Sequence, residues 1–223
     1  RVIPRNSENV MPKILLADDH SLIRRGLKNI INTHFPDLEV EETHTVSQTL
    51  SYLKKDVPRF AIFDLQLSDG NMIDAVSEIN RLYPQLDILV YTMSSEEIYG
   101  TRTLQLGAKG FLRKDAEEEE VIRALRYFFA GNIYVSNQLK NIFIEDLRYK
   151  VPGEKTGNPF KHLSSRELEV AQLLVKGRGT KEISVRMHLH ANTVVTYKKR
   201  IFQKLSVSNL IQLAELAKLY HFL

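Results

Sequence analysis

An open, doubly wound α/β sheet of five parallel strands, followed by a small all-α module of four helices, is the fold class this chain predicts. Three observations carry it. Apolar runs of strand length alternate with amphipathic segments through the first 130 residues, the pattern of repeated βαβ units. From Leu163 onward only helical periodicity remains. Between the two lies Val151-Pro-Gly-Glu-Lys-Thr-Gly-Asn-Pro159, with proline, glycine and charge but no apolar period, which reads as a linker.

The elements follow in order. Strands are expected at about 13–18, 38–42, 59–64, 87–92 and 109–112, where β-branched and aromatic residues cluster. Helices are expected at about 20–34, 46–55, 71–82, 95–105 and 117–130. Pro36, Pro58 and Pro84 punctuate the gaps. The run Glu117–Glu120 opens the fifth helix, where negative charge complements the helix dipole. One more helix fits Asn137 to Lys150. Ser164 with Glu167 three positions on forms a capping box, and the helix it opens stops at Gly177. Thr180 caps a second helix to about Leu189, Asn192 or its neighbour a third to Leu205, and Asn209 a fourth to about Tyr220. Short helices joined by tight turns read as a helix-turn-helix. The resulting division is a disordered tail or cloning remnant over 1–12, an α/β domain over 13–130, a connector over 131–161 and a helical domain over 162–223.

Composition narrows the function. The chain has 223 residues and no cysteine, so disulfides, thiolate metal sites and a cysteine nucleophile are excluded. No apolar stretch reaches membrane-spanning length and no signal core is evident at the N-terminus, so a cytoplasmic protein is expected. Charge is uneven. Residues 1–130 hold 16 Lys/Arg against 20 Asp/Glu, whereas residues 161–223 hold 11 against 4. A basic module behind a mildly acidic one suggests nucleic-acid binding attached to something else.

Chemistry concentrates at strand ends. Lys13-Ile14-Leu15-Leu16-Ala17 runs into Asp18-Asp19-His20, Phe60-Ala61-Ile62-Phe63 into Asp64, Asp87 to Tyr91 into Thr92, and Lys109-Gly-Phe-Leu-Arg113 into Lys114. Parallel strands present their C-terminal ends at one edge, where ligands bind. Clustered carboxylates repel unless a cation sits among them, and an all-oxygen set suits Mg²⁺ and phosphate chemistry. An aspartate can itself be the nucleophile that forms an acyl phosphate. The alternative is that these acids are solvated loop residues.

These motifs, in this order, resemble a bacterial response-regulator receiver domain, whose fold is flavodoxin-like. The resemblance implies that Asp64 accepts the phosphoryl group. It implies that Asp19, Asp64 and the Gln66 backbone carbonyl ligate Mg²⁺, with Asp18 acting through water. Thr92 would bind the phosphoryl group and reorient, Lys114 would pair with a phosphoryl oxygen, and Phe111 would stand at the aromatic switch position. One segment departs from the family. Asp64-Leu-Gln-Leu-Ser68-Asp69-Gly70-Asn71-Met72 lacks the usual Met-Pro and has its glycine before Asn71, so an altered backbone is expected there.

Leu163-Ser-Ser-Arg166-Glu167-Leu-Glu169-Val170, Thr180-Lys181-Glu182-Ile183-Ser184, Thr193-Val-Val195-Thr196-Tyr197-Lys198 and Ile201 to Val207 resemble the LuxR-type helix-turn-helix of the NarL/FixJ subfamily. The recognition helix is then about 191–205. Val195 and Thr196 would read bases, Val195 through a thymine methyl. Lys199 would contact phosphate, with Thr180, Lys181, Thr193, Tyr197 and Lys198 as weaker contacts. Arg166, Glu167 and Glu182 are expected to form an internal ion-pair network, and His188 and His190 to be turn residues. Leu210, Leu213, Ala214 and Ala217 would supply a dimer surface, part of their apolar helix closing the core. The implied partners are a sensor histidine kinase and inverted-repeat DNA bound by a homodimer, with no membrane and no turnover chemistry. Two alternatives remain open: a regulator indifferent to phosphate, kept alive by the 68–72 segment, and a Mg²⁺-dependent phosphotransferase or phosphatase. Gln66 stands where the latter would want an acid.

Overall fold

The computed structural model describes residues 11–148, 158–220 and 222. The chain divides into two compact units, 1–141 and 142–223. Most of the expected tail and of the linker Val151–Pro159 lies outside the described residues.

The first unit contains β1 (Lys13–Ala17), β2 (Glu39–Thr43), β3 (Phe60–Phe63), β4 (Gln66–Leu67), β5 (Gly70–Asn71), β6 (Asp87–Thr92) and β7 (Gly110–Arg113). All but β4 and β5 form one parallel sheet in the order β2-β1-β3-β6-β7. Its helices are α1 (Ser21–His34), α2 (Val46–Leu53), α3 (Ile73–Leu82), α4 (Glu96–Gln105) and α5 (Glu118–Phe129), followed by α6 (Asn137–Arg148), which runs past the division at 141. Each expected strand is present with its ends shifted by a residue at most, and helices α1 to α5 by two at most.

The central strands are apolar without interruption because both faces of the sheet are covered. Ile14, Leu16, Phe60, Ile62 and Leu89 point to one face, against Leu27, Ile31 and Phe35 of the α1 segment and Val121, Leu125, Phe128 and Phe129 of α5. Phe60 meets Phe128 and Phe129 edge-on, with centroids 5.4 and 5.0 Å apart. Side chains alternate along a strand, so Leu15, Ala61, Phe63, Ile88 and Val90 take the other face, all at 1 % exposure or less. Each such Ile, Leu or Phe contributes about 1.5–3 kcal/mol by leaving water.

The segment after Asp64 is a short antiparallel hairpin of β4 and β5. Asp69, at its tip, accepts from the Val46 and Ser47 backbone N–H groups (2.7 and 3.0 Å) and from the Ser47 hydroxyl (2.8 Å). Asp69 thus ties this hairpin to the first turn of α2.

The second unit opens with a 3-10 turn, Pro159–His162, and continues with α7 (Ser165–Val175), α8 (Thr180–Arg186), α9 (Ala191–Leu205) and α10 (Leu210–Leu219). The Ser164–Glu167 capping box is present. Gly179, not Thr180, precedes α8 as its cap, with the Glu182 carboxylate accepting from the Gly179 N–H at 2.8 Å. α8 also ends three residues earlier than expected, because His188 adopts a left-handed φ of 52° that closes the turn into α9. His190 caps α9, so Asn192 lies inside the helix. Leu168, Ala171, Ile183, Val194, Ile201 and Leu213 are buried, and Phe160 stacks on Phe222 at 3.9 Å.

Candidate phosphorylation edge and nucleic-acid face

Strand order reverses at β1, which has β2 on one side and β3 on the other. Ligands of such sheets bind at the carboxyl ends beside this switch point. Parallel register sets Ala17 level with Phe63 and Thr92 level with Arg113. The ladder carries on past the strands: the Asp64 N–H donates to the Ala17 carbonyl at 2.8 Å, and the Lys114 N–H to that of Thr92 at 3.0 Å. Asp18, Asp64, Thr92 and Lys114 therefore meet at one edge.

All four are buried. Asp18 is 6 % exposed, Asp64 4 % and Thr92 1 %, and the Lys114 side chain 2 %. The Lys114 ammonium lies 2.6 Å from Asp64 Oδ2 and 2.5 Å from Asp18 Oδ2. Two buried carboxylates this close demand a counter-charge, and Lys114 supplies it without any phosphoryl group. Thr92 Oγ1 donates to Ser94 Oγ and accepts from the Ser94 N–H, both at 3.3 Å. The Gln66 N–H donates to Asp64 Oδ1 at 3.2 Å. Phe111 is fully buried.

Asp18, Asp19, His20 and Asp64 each offer a ligand atom, all within 4.8 Å of one another. Three carboxylates in this space are compatible with Mg²⁺. Two groups here went unassigned in the sequence reading. His20 Nδ1 lies 2.8 Å from Asp19 Oδ1. Arg24 Nη1 donates to the Asp18 carbonyl at 2.7 Å while its Nε donates to Glu42 at 3.1 Å. One turn of helix separates Arg24 from the acidic pair, a spacing that could have flagged it.

In the second unit, Val195, Thr196 and Lys199 lie exposed on α9, with Thr193, Tyr197 and Lys198 half-buried beside them. Thr196 Oγ1 donates back to the Asn192 carbonyl at 2.9 Å, which leaves its methyl and lone pairs outward. Lys198 Nζ lies over the Phe202 ring, 5.5 Å from its centroid. Thr180 and Lys181 open α8, Lys181 exposed and Thr180 half-buried. Asn192 and Arg200, missed in the sequence, line a shallow hollow with Thr193, Thr196 and Tyr197. Their helical spacing from Thr196 would have found them.

One expectation needs correction. Leu213 is fully buried and Ala217 2 % exposed, because they lie four apart on the inward stripe of α10. Neither is on the surface as expected of a dimer contact; Leu210 and Ala214 are exposed, as are Ile211 and Leu219. The residues expected in an ion-pair network make the following pairs. Glu167 does join α7 to α9 through Lys204 at 2.6 Å, but Arg166 pairs with Glu169 and Glu182 with Arg178 one turn away. Burial alone would raise the Glu167 carboxyl, yet Lys204 and the Ser164 donors hold it below its usual range.

Comparison with known proteins agrees with both halves. Residues 14–126 match the response regulator receiver domain, and residues 161–217 the luxR family of bacterial regulatory proteins. The oxygen regulatory protein NreC of Staphylococcus carnosus (strain TM300) is 32 % identical over 209 residues, covering 92 % of this chain and 96 % of its own. The response regulator GacA of Pseudomonas protegens is 30 % identical over 207 residues, 93 % and 95 % of the two chains. Among solved structures, RcsB from Salmonella enterica serovar Typhimurium, bound to promoter P1flhDC in the presence of phosphomimetic BeF3-, aligns with a TM-score of 0.68. It is 25 % identical, over 92 % of this chain and 98 % of that one. No described helix is long and apolar enough to cross a membrane.

Proposed function

The chain belongs to the two-component response regulators that join a receiver domain to a luxR-type DNA-binding domain, and we propose that phosphorylation of Asp64 governs its binding to promoter DNA. The observation that carries this reading is the buried Asp64–Lys114–Asp18 group with Thr92 at the same sheet edge. An Asp64 carboxylate oxygen attacks phosphorus of a histidine kinase's phosphoimidazole. The P–N bond breaks, its electron pair stays on the imidazole nitrogen, and that nitrogen takes up a proton. Lys114 exchanges part of its contact with Asp64 for a new phosphoryl oxygen, and Thr92 turns its hydroxyl from Ser94 toward another. Asp18, Asp19, Asp64 and the Gln66 carbonyl would hold Mg²⁺, which when bound neutralises charge on the phosphoryl oxygens. Phe111, fully buried on the neighbouring strand, would take the space the hydroxyl leaves.

On DNA, α9 enters the major groove. Val195 and Thr196 read bases. Lys199 contacts phosphate, with Thr180, Lys181, Thr193, Tyr197 and Lys198 positioning the helix. Promoter-bound RcsB is a precedent for such binding. A homodimer on inverted repeats, using the exposed Leu210 and Ala214, a connector over 131–161 and a cytosolic place of action complete the proposal.

The test is intact mass after incubation with acetyl phosphate and Mg²⁺. One phosphoryl increment on the wild type and none on Asp64→Asn is expected. An increment on both would move the acceptor elsewhere. Equal promoter affinity with and without the phosphodonor would favour the phosphate-indifferent alternative.

A further inference from the structure

Residues 133–141 cross the first unit as a strap, and the chain is shaped to receive it. The Tyr134 N–H donates to the Lys109 carbonyl at 2.8 Å, and Tyr134 pairs with Gly110 as an isolated parallel bridge. A Cβ at Gly110 would meet the Tyr134 carbonyl oxygen at 3.2 Å and a Leu89 methyl at 2.6 Å. The Tyr134 hydroxyl donates to Glu120 at 2.8 Å. Two residues on, the Ser136 hydroxyl donates to Glu96 at 2.6 Å while accepting from the Leu139 N–H at 3.0 Å. Ser136 is thus at once the cap of α6 and a tether to the first turn of α4. Leu139 is fully buried. It lies against Gly100, where a Cβ would come within 2.8 and 3.1 Å of its two methyls.

Glu96 is the joint. It is a carboxylate of 5 % exposure, and burial raises its pKa against the Ser136 hydrogen bond. It stands four residues beyond Thr92. The intervening turn is held by the Thr92–Ser94 bonds and by Arg113 Nη1 donating to the Ser94 carbonyl at 3.5 Å. Turning Thr92 away from Ser94 would remove two of these three restraints, leaving Arg113 on the Ser94 carbonyl.

We propose that the Glu96–Ser136 hydrogen bond and the Gly100–Leu139 contact form a latch that is closed in the unphosphorylated receiver and loosened on phosphorylation, making Glu96 and Gly100 positioning residues that couple the sheet edge to α6. This rests on the roles of Asp64 and Thr92 proposed above. Linkage makes the coupling reciprocal: a variant that opens the latch must favour the phosphorylated form.

The experiment uses the full chain with beryllofluoride and Mg²⁺ as the phosphoryl mimic, reading its affinity by calorimetry and amide exchange over 134–141. In the wild type the mimic should lower protection of these amides. Ser136→Ala and Gly100→Ala should lose protection without it and bind it about fivefold more tightly. Glu96→Gln, which keeps an acceptor for Ser136, should stay within about twofold of wild type, far less than a coupled loss. The latch is overturned if the mimic leaves wild-type protection unchanged, or if variants with a released strap bind it as the wild type does. Absence of binding to the wild type would overturn the Asp64 assignment first and the latch with it.

Discussion

Asp18, Asp64, Thr92 and Lys114 come from four segments that only strand register brings level, whereas Asn192, Val195, Thr196 and Lys199 all project from one 15-residue helix. The first group is buried, with Lys114 ion-paired to both Asp18 and Asp64; the second is exposed and made of separate contacts. At the sheet edge, removing Lys114 alters the state of both carboxylates, because it is the partner of each. On α9, an exposed side chain can be replaced without removing the partner of a buried group. The proposed regulatory and recognition sites therefore differ in the mutational tolerance expected of them.

The sharpest test of that contrast is Lys114→Met. It leaves Asp18 and Asp64 facing each other without a counter-charge, and removing one partner of a buried pair costs about 3–5 kcal/mol. Denaturant unfolding of the full chain should show the first unit destabilised by that order, with the α9 segment's amide protection unchanged. Equal stability to wild type would mean the edge is less coupled than its distances imply.

Among the described residues the second unit buries two carboxylates, Glu167 and Glu169. Lys204→Ala strands the Glu167 carboxylate, but Lys204 is 42 % exposed, so water can replace part of the lost contact. A smaller loss of about 1–2 kcal/mol is expected, seen as a lower midpoint for the second transition. A loss as large as at Lys114 would erase the distinction between the units.

Single changes on α9 should behave independently. Val195→Ala should relax preference at one base position by about 1–2 kcal/mol, at roughly 0.8 kcal/mol for each buried methyl-sized group removed, measured by binding to a set of half-sites. Lys199→Ala should weaken all sites alike and reduce the salt slope by about one. Val195→Ala weakening all sites alike would assign it a packing role.

The smallest effect is in pH. Glu167 is held below its usual value of 4.5. A depressed carboxylate contributes stability above the unfolded value, and this is lost as pH falls through the folded one. Glu96 is raised by burial, with Glu120 and Asp115 adding to that and Ser136 and Arg113 opposing it. A raised carboxyl favours the folded state as it protonates, so its region gains stability as pH falls through the raised value. Protection factors should rise over 134–141 and then fall over 164–205 as pH is lowered from neutral toward 4. Parallel trends in both segments would contradict the two opposite shifts.

The sequence alone determined the five long strands and the placing of the helices, because apolar period is local, but not the β4–β5 hairpin or the cap and end of α8. Strand ends at Asp18, Asp64, Thr92 and Lys114 were legible, since a strand must run into whatever follows it. The α9 surface was legible for the same reason. What it could not show was partnership across long separations. That Lys114 pairs with Asp18 as well as Asp64, that Asp69 holds α2, and that Leu213 and Ala217 turn inward on a helix apolar on several sides all depend on packing. The Glu96–Ser136 tether, 40 residues apart in sequence, belongs to the same class. A side chain's neighbours in the chain fix its secondary structure; its neighbours in space fix its charge partner and its exposure, and only the tertiary structure names them.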